Sequence, residues 1–223
     1  PFNQTIYVRV ENSHGCATIG NLELQISTTT IPSGFNRSFS ICDDLTAAAN
    51  SDYDGISVFD FHSVTNDIKT TFLTGTIPYS ISYYRNESDA LSEINPLNQN
   101  VPSDPTDPTS IYNYRNIGYP NTQQIWVRVD STIDNACFGL GPYITLTVEK
   151  LPIANPVSVA RQCDDNQDGI YIFDTSTLET TLLGTNQSFP VTVQYFDSSN
   201  NLLKDTNGLS ISSPFPSTFS TTS

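Results

Sequence analysis

The chain has 223 residues, with 9 Lys and Arg against 23 Asp and Glu, for a net charge of −14. A surface this acidic repels phosphate backbones, which excludes nucleic acid as the expected partner, and it suits a secreted protein kept soluble by like charge. No apolar run reaches the roughly 18–20 residues of a membrane-spanning helix, so no direct membrane insertion is expected.

Thr, Ser, Asn, Ile, Val, Tyr and Phe dominate, while Met is absent, a balance that favours strands and turns. The start at Pro1, without a leader, is expected to mark a processed or truncated fragment. The first element is a strand: Ile6, Val8 and Val10 alternate with Tyr7 and Arg9. Ser13-His14-Gly15 supplies a turn, Cys16 follows, and Leu22-Glu23-Leu24-Gln25-Ile26 completes a hairpin. A Pro-marked junction, Thr28-Thr29-Thr30-Ile31-Pro32, leads to Cys42-Asp43-Asp44 and an acidic turn ending at Gly55. Ile56–Phe61 predicts a strand, and the mixed spacing over Ser63–Leu73 predicts a short helix or an irregular crossover. Residues 95–110 carry Pro96, Pro102, Pro105 and Pro108 and must be a loop or sheet edge, because proline cannot donate to a ladder.

From here the chain repeats itself. Gln124-Ile125-Trp126-Val127-Arg128-Val129, then Cys137 and Ile144-Thr145-Leu146-Thr147-Val148, restate the opening hairpin. Cys163-Asp164-Asp165 and Asp168-Gly169-Ile170-Tyr171-Ile172-Phe173-Asp174 restate Cys42-Asp43-Asp44 and Asp54–Asp60. Phe189-Pro190 through Phe196 restates Ile77-Pro78 through Tyr84. The period is about 121 residues, from 137 − 16 and equally from 163 − 42. The chain therefore divides into the C-terminal strands of one repeat (1–30), a complete repeat (31–150) and the N-terminal part of a third (151–223). About six to eight short strands in about 120 residues predict an all-β fold of tandem immunoglobulin-like β-sandwich repeats. A further possibility is that residues 1–30 of one copy close the open repeat of another, head to tail.

Two chemistries deserve a place. Asn50, Asp52 and Asp54 before Gly55, and Asp164, Asn166 and Asp168 before Gly169, set oxygen ligands at alternate positions ahead of a glycine. That spacing converges oxygens on one hard cation, so structural Ca2+ is a candidate, with Asp60 and Asp174, or Asp43 and Asp164, completing the shells. An Asx-rich turn without metal is the plain alternative. The four cysteines point to disulfides rather than zinc, since no Cys-x-x-Cys is present. Cys42–Cys137 within the complete repeat is the expected bond, leaving Cys16 and Cys163 unpaired in the fragment. The rival is an inter-repeat set, Cys16–Cys42 and Cys137–Cys163. His14 and His62 do not recur at matching positions, and no carboxylate pair stands out, so no catalysis is expected. Tyr83, Tyr84, Tyr112, Tyr114, Tyr119 and Trp126 form either core or a platform for surface glycans, the latter being the mark of a carbohydrate-binding accessory module.

Residues 4–16, 151–156 and 163–174, in that order, resemble the repeats of very large surface proteins of Bacteroidetes, especially flavobacteria. Such proteins are similar to gliding-motility adhesins exported by the type IX secretion system. The resemblance implies an extracellular location at the outer membrane, repeats that act as spacers or filaments in adhesion, and neighbouring repeats as principal partners. The insertion Leu45–Ser51 departs from that pattern.

Overall fold

A computed structural model describes residues 2–26, 29–44, 53–75, 77–102, 104, 106–134, 136–163, 166–187, 189–205 and 207–222. The chain is all-β, with three short helices among the described residues, and clusters into two compact units, Pro1–Leu151 and Pro152–Ser223.

The first unit opens with the hairpin of β1 (Phe2–Glu11) and β2 (Ala17–Ile26), in register from Phe2 opposite Ile26 to Glu11 opposite Ala17. Asn12 closes its turn, with Oδ1 accepting from the backbone N–H groups of His14 and Cys16. The complete repeat contains β3 (Arg37–Cys42), β4 (Val58–Phe59), α1 (Ser63–Phe72), β5 (Tyr79–Tyr84), α2 (Glu87–Ser92), β6 (Tyr114–Arg115), β7 (Thr122–Ser131) and β8 (Cys137–Glu149). Four of these make one sheet in the order β3-β8-β7-β5. The β5–β7 and β7–β8 pairs are antiparallel, but β3 runs parallel to β8.

Alternation explains the packing. Ile125, Val127 and Val129 of β7 and Ile144, Leu146 and Val148 of β8 point to one face and are buried. Phe59, Phe61, Val64, Ile68, Ile111 and Tyr114 pack in the same core, from α1, the short β4–β6 pair and the loops beside them. The second layer is thus mostly helix and loop, with a ladder of only two residue pairs, Val58–Arg115 and Phe59–Tyr114. The prolines over 96–108 account for much of this, since they remove ladder donors where another strand would lie. Ser63–Phe72, left open between helix and crossover, is helix.

The β1–β2 hairpin repeats the register of β7–β8, with Ile6 opposite Leu22 as Ile125 is opposite Ile144. Its side chains are exposed nonetheless: Ile6 at 39% against 0% for Ile125. Local pairing makes the hairpin, and burial needs the flanking strands and second layer.

The second unit has β9 (Ile170–Asp174) paired with β10 (Thr218–Thr222), and α3 (Leu178–Leu183). Its residues 152–163, which correspond to the segment leading through β3, carry no strand. Among the described residues of this unit, no strand corresponds to β8, the partner that β3 uses.

Candidate functional site: the two ends of the repeat

The parallel β3–β8 pair gives the complete repeat a polarity. At one end the incoming chain docks on the start of β8: the N–H groups of Thr30 and Ile31 both donate to Phe138 O, at 2.6 and 3.0 Å. Ile31 is buried over Gly139, where an added Cβ would lie 2.8 Å from Ile31 Cδ1. Cys137 adjoins this lock. Burial pushes its thiol up, and the Asp130 carboxylate pushes it further. Beside it lies an apolar cleft of about 150 Å³, lined by Thr30, Phe72, Leu73, Ile77, Tyr79 and Phe138.

At the other end β3 and β8 finish together, Cys42 opposite Glu149. Asp43 N–H donates to Glu149 O at 2.8 Å, and Ser40 Oγ donates to Glu149 Oε1 at 2.6 Å. The chain leaves here through Lys150 and Leu151. Cys42 is exposed.

This polarity corrects the expected Cys42–Cys137 bond. Cys137 begins β8 and Cys42 lies across from its last residue. At about 3.3 Å per residue, twelve steps of strand separate the two by roughly 35–40 Å. A disulfide needs Cα atoms within about 7 Å. Cys42 and Cys137 therefore occupy opposite ends of a rigid sheet, and no disulfide joins any of the four cysteines here.

The acidic turn also sits at the exit end. Asp43 is buried, its Oδ2 accepting from Gly55 N–H at 2.8 Å, while Asp44 Oδ2 accepts from Ser57 Oγ at 2.8 Å. Asp54 Oδ1 accepts from Ile56 N–H. The remaining oxygens, Asp43 Oδ1, Asp44 Oδ1 and Asp54 Oδ2, are buried without a hydrogen-bond donor among the described residues. Gly55 has φ +74, and an added Cβ would meet Asn121 N at 2.7 Å, so the turn requires glycine. Asn116 fixes the turn from beneath, its Oδ1 accepting from Ser57 N–H and its Nδ2 donating to Gly55 O.

The predicted calcium sets are only partly brought together. Asn50, Asp52 and Asp164 lie outside the described residues. Asp60 follows β4 and Asp174 ends β9, and each accepts from the N–H two residues on, His62 and Ser176, to open the next helical segment. Asn166 Nδ2 donates to Asp168 Oδ2, and Ile170 N–H donates to Asp168 Oδ1, which makes a self-satisfied Asx turn. Among the described residues no three acidic, His or Cys side chains converge as a ligand group. Sequence spacing missed the role of Asp44, whose signal is its place in the Cys-Asp-Asp block.

The aromatic platform is largely core. Tyr83, Tyr84 and Tyr114 are buried, Tyr83 donating to or accepting from Thr65 Oγ1, and Tyr114 Oη donating to Gln123 Oε1. His62 stacks on Tyr112 at 4.4 Å and pairs with Asp60.

A model of the Flavobacterium inter-domain disulphide bond domain matches residues 38–152 and 159–223. The chain belongs to this family. The two matched stretches are the complete repeat and the one begun after it, so the chain holds tandem inter-domain disulphide bond domains. No curated protein and no solved structure matches the chain.

Proposed function

We propose that these domains form the stiff, disulfide-tied stalk of a flavobacterial cell-surface protein, holding an adhesive or motility function away from the outer membrane. The observation that carries this reading is the parallel β3–β8 ladder between the points where the chain enters and leaves. Tension between residues 30 and 150 pulls β3 and β8 past each other along their length. All the rungs from Arg37–Ile144 to Cys42–Glu149 then resist together instead of unzipping singly. The family's inter-domain disulfide supports a join between repeats, and the cysteines at the two ends are where such a join belongs.

Calcium enters this reading as a structural ion beside the exit turn, where Asp43 Oδ1, Asp44 Oδ1 and Asp54 Oδ2 are buried without donors; these three carboxylates do not by themselves converge as a ligand group, so the ion would also need Asn50 or Asp52. Burial of Tyr83, Tyr84 and Tyr114 removes half of the glycan platform and weighs against a carbohydrate-binding module. Neighbouring repeats are the partners, and export to an oxidising cell exterior is the setting.

Force spectroscopy on reduced tandem repeats tests the reading. Phe39→Pro in β3 is expected to lower the unfolding force far more than a β5 variant of equal equilibrium destabilisation. Equal losses of force would sink it.

A further inference from the structure

We infer that the outward face of the four-stranded sheet is a stacking platform for a neutral polysaccharide, with Trp126 as the ring on which a sugar lies. β7 turns Ile125, Val127 and Val129 into the core, so Trp126 stands on the opposite face, half-buried. Tyr84 lies directly opposite on β5 and is buried, which backs the indole on that side. Beyond the ladder, Trp126 makes no hydrogen bond or ring contact among the described residues, and its Nε1–H is not buried. A buried tryptophan usually finds a partner for that N–H. Here the donor and the open part of the ring are left to an incoming molecule.

The neighbours set the chemistry of that molecule. The register aligns Gln124 with Thr145 and Thr145 with Ser38, a row of uncharged hydrogen-bonding side chains across β7, β8 and β3. Asn36 ties the row together, its Nδ2 donating to Thr145 Oγ1 at 3.0 Å and its Oδ1 accepting from Ser38 Oγ at 3.2 Å. In a chain of net charge −14 this row carries none. The charges of the face lie outside it: Arg128, paired with Glu93 and Asp130, on the α2 side, and Glu149, bonded to Ser40, at the exit end.

An aromatic ring bordered by amides and hydroxyls matches a pyranose, which offers an apolar C–H face and a rim of hydroxyl groups. An acidic glycan finds no free cation in the row, and a protein partner finds one ring instead of the apolar centre such interfaces need. Neighbouring strands lie about 4.8 Å apart, so the row spans roughly 10 Å, room for about two sugar rings. Tyr83 and Tyr114 belong to the core face and take no part.

The position recurs. In the opening hairpin Tyr7 follows Ile6 as Trp126 follows Ile125, in the matching register, and it is 76% exposed. One shallow platform binds weakly, and a string of them gains about 10²–10⁴ in avidity with no new contact. The platform stands whether or not the repeats carry tension.

Trp126 is the chain's single tryptophan, so its fluorescence reports this site alone. The native protein is titrated with mixed-linkage β-glucan, xylan and galactomannan in turn, and run through gels containing each. A saturable emission change and retardation are expected with at least one. Trp126→Ala is expected to weaken retardation about tenfold or more, and Trp126→Phe to keep most of it. Gln124→Ala, at an exposed position, is expected to weaken it a few-fold with the melting temperature unchanged. Silence with all three polysaccharides, retardation that survives both Trp126→Ala and Gln124→Ala, or an equal response to the acidic polysaccharide alginate overturns the inference. None of these results bears on the force measurement that tests the stalk.

Discussion

The entry lock makes a quantitative prediction. Gly139→Ala places a Cβ 2.8 Å from Ile31 Cδ1 and 3.0 Å from both Ile31 Cβ and Cγ1. The Cδ1 contact can be relieved by rotation, but the Cβ contact cannot, because Ile31 is tied through its N–H to Phe138 O at 3.0 Å. Overpacking of this kind costs about 1–3 kcal/mol. Removing a glycine from the unfolded chain returns about 0.4–1 kcal/mol. The net loss is about 1–2 kcal/mol, or a fall in melting temperature of about 2–8 °C for a chain of this size. Ile31→Ala alone, emptying a site only 1% exposed, is expected to cost about 2–5 kcal/mol. In the double variant the new methyl occupies space the isoleucine has vacated, so the two costs should fall short of their sum by about 1 kcal/mol or more. Urea denaturation of the four proteins gives the cycle. Additivity within about 0.5 kcal/mol, or a neutral Gly139→Ala, would falsify the account of Ile31 as a plug seated on Gly139.

Chelator should lower the melting temperature if a cation relieves the exit turn, and Asp43→Asn should abolish that difference; an unchanged midpoint in the native protein would end the calcium reading. The Tyr83 hydroxyl, buried, is pushed up from 10.0 to about 12. Its neutral form is favoured in the folded state, so the associated stability is full below pH 10 and lost as pH rises toward 12. Tyr83→Phe should flatten alkaline unfolding over that window, measured by circular dichroism, and an unaltered pH profile would contradict it. In the reduced protein, Asp130→Asn should speed alkylation of Cys137 a few-fold at pH 8, by removing a carboxylate that opposes its thiolate, while leaving Cys42 unchanged. Equal rates in the two proteins would remove Asp130 from the account.

Short-range features were legible. Alternation at Ile125–Val129 and Ile144–Val148 marks half-buried strands, and the repetition of the hairpin fixes the period, because both signals are read within a few residues. The polarity of the repeat was not. Phe39 and Ile41 alternate with serines in Arg37–Cys42, yet the strand's partner lies about a hundred residues on and runs parallel, which no local pattern encodes. That pairing decides which cysteines can meet, so the disulfide expectation failed where a non-local fact was needed. The acidic spacing was legible as a turn and Asp43 as a candidate beside it, but the contact of Asp44 with Ser57 depends on where the chain leaves β3.

An internal Cys42–Cys137 bond would cross-link one repeat and leave each junction as a single strand of chain. Placing the two thiols at opposite ends of the β3–β8 pair closes nothing inside the repeat. The repeat's interior can afford this, since Phe61, Tyr83, Tyr114, Ile125 and Ile144 already bury a core without a cross-link. The hairpin of residues 2–26 pairs strand to strand with Val8 and Leu22 about half exposed. The β3–β8 pair has an entry end and an exit end. Those ends are where the cysteines and the buried acidic turn lie.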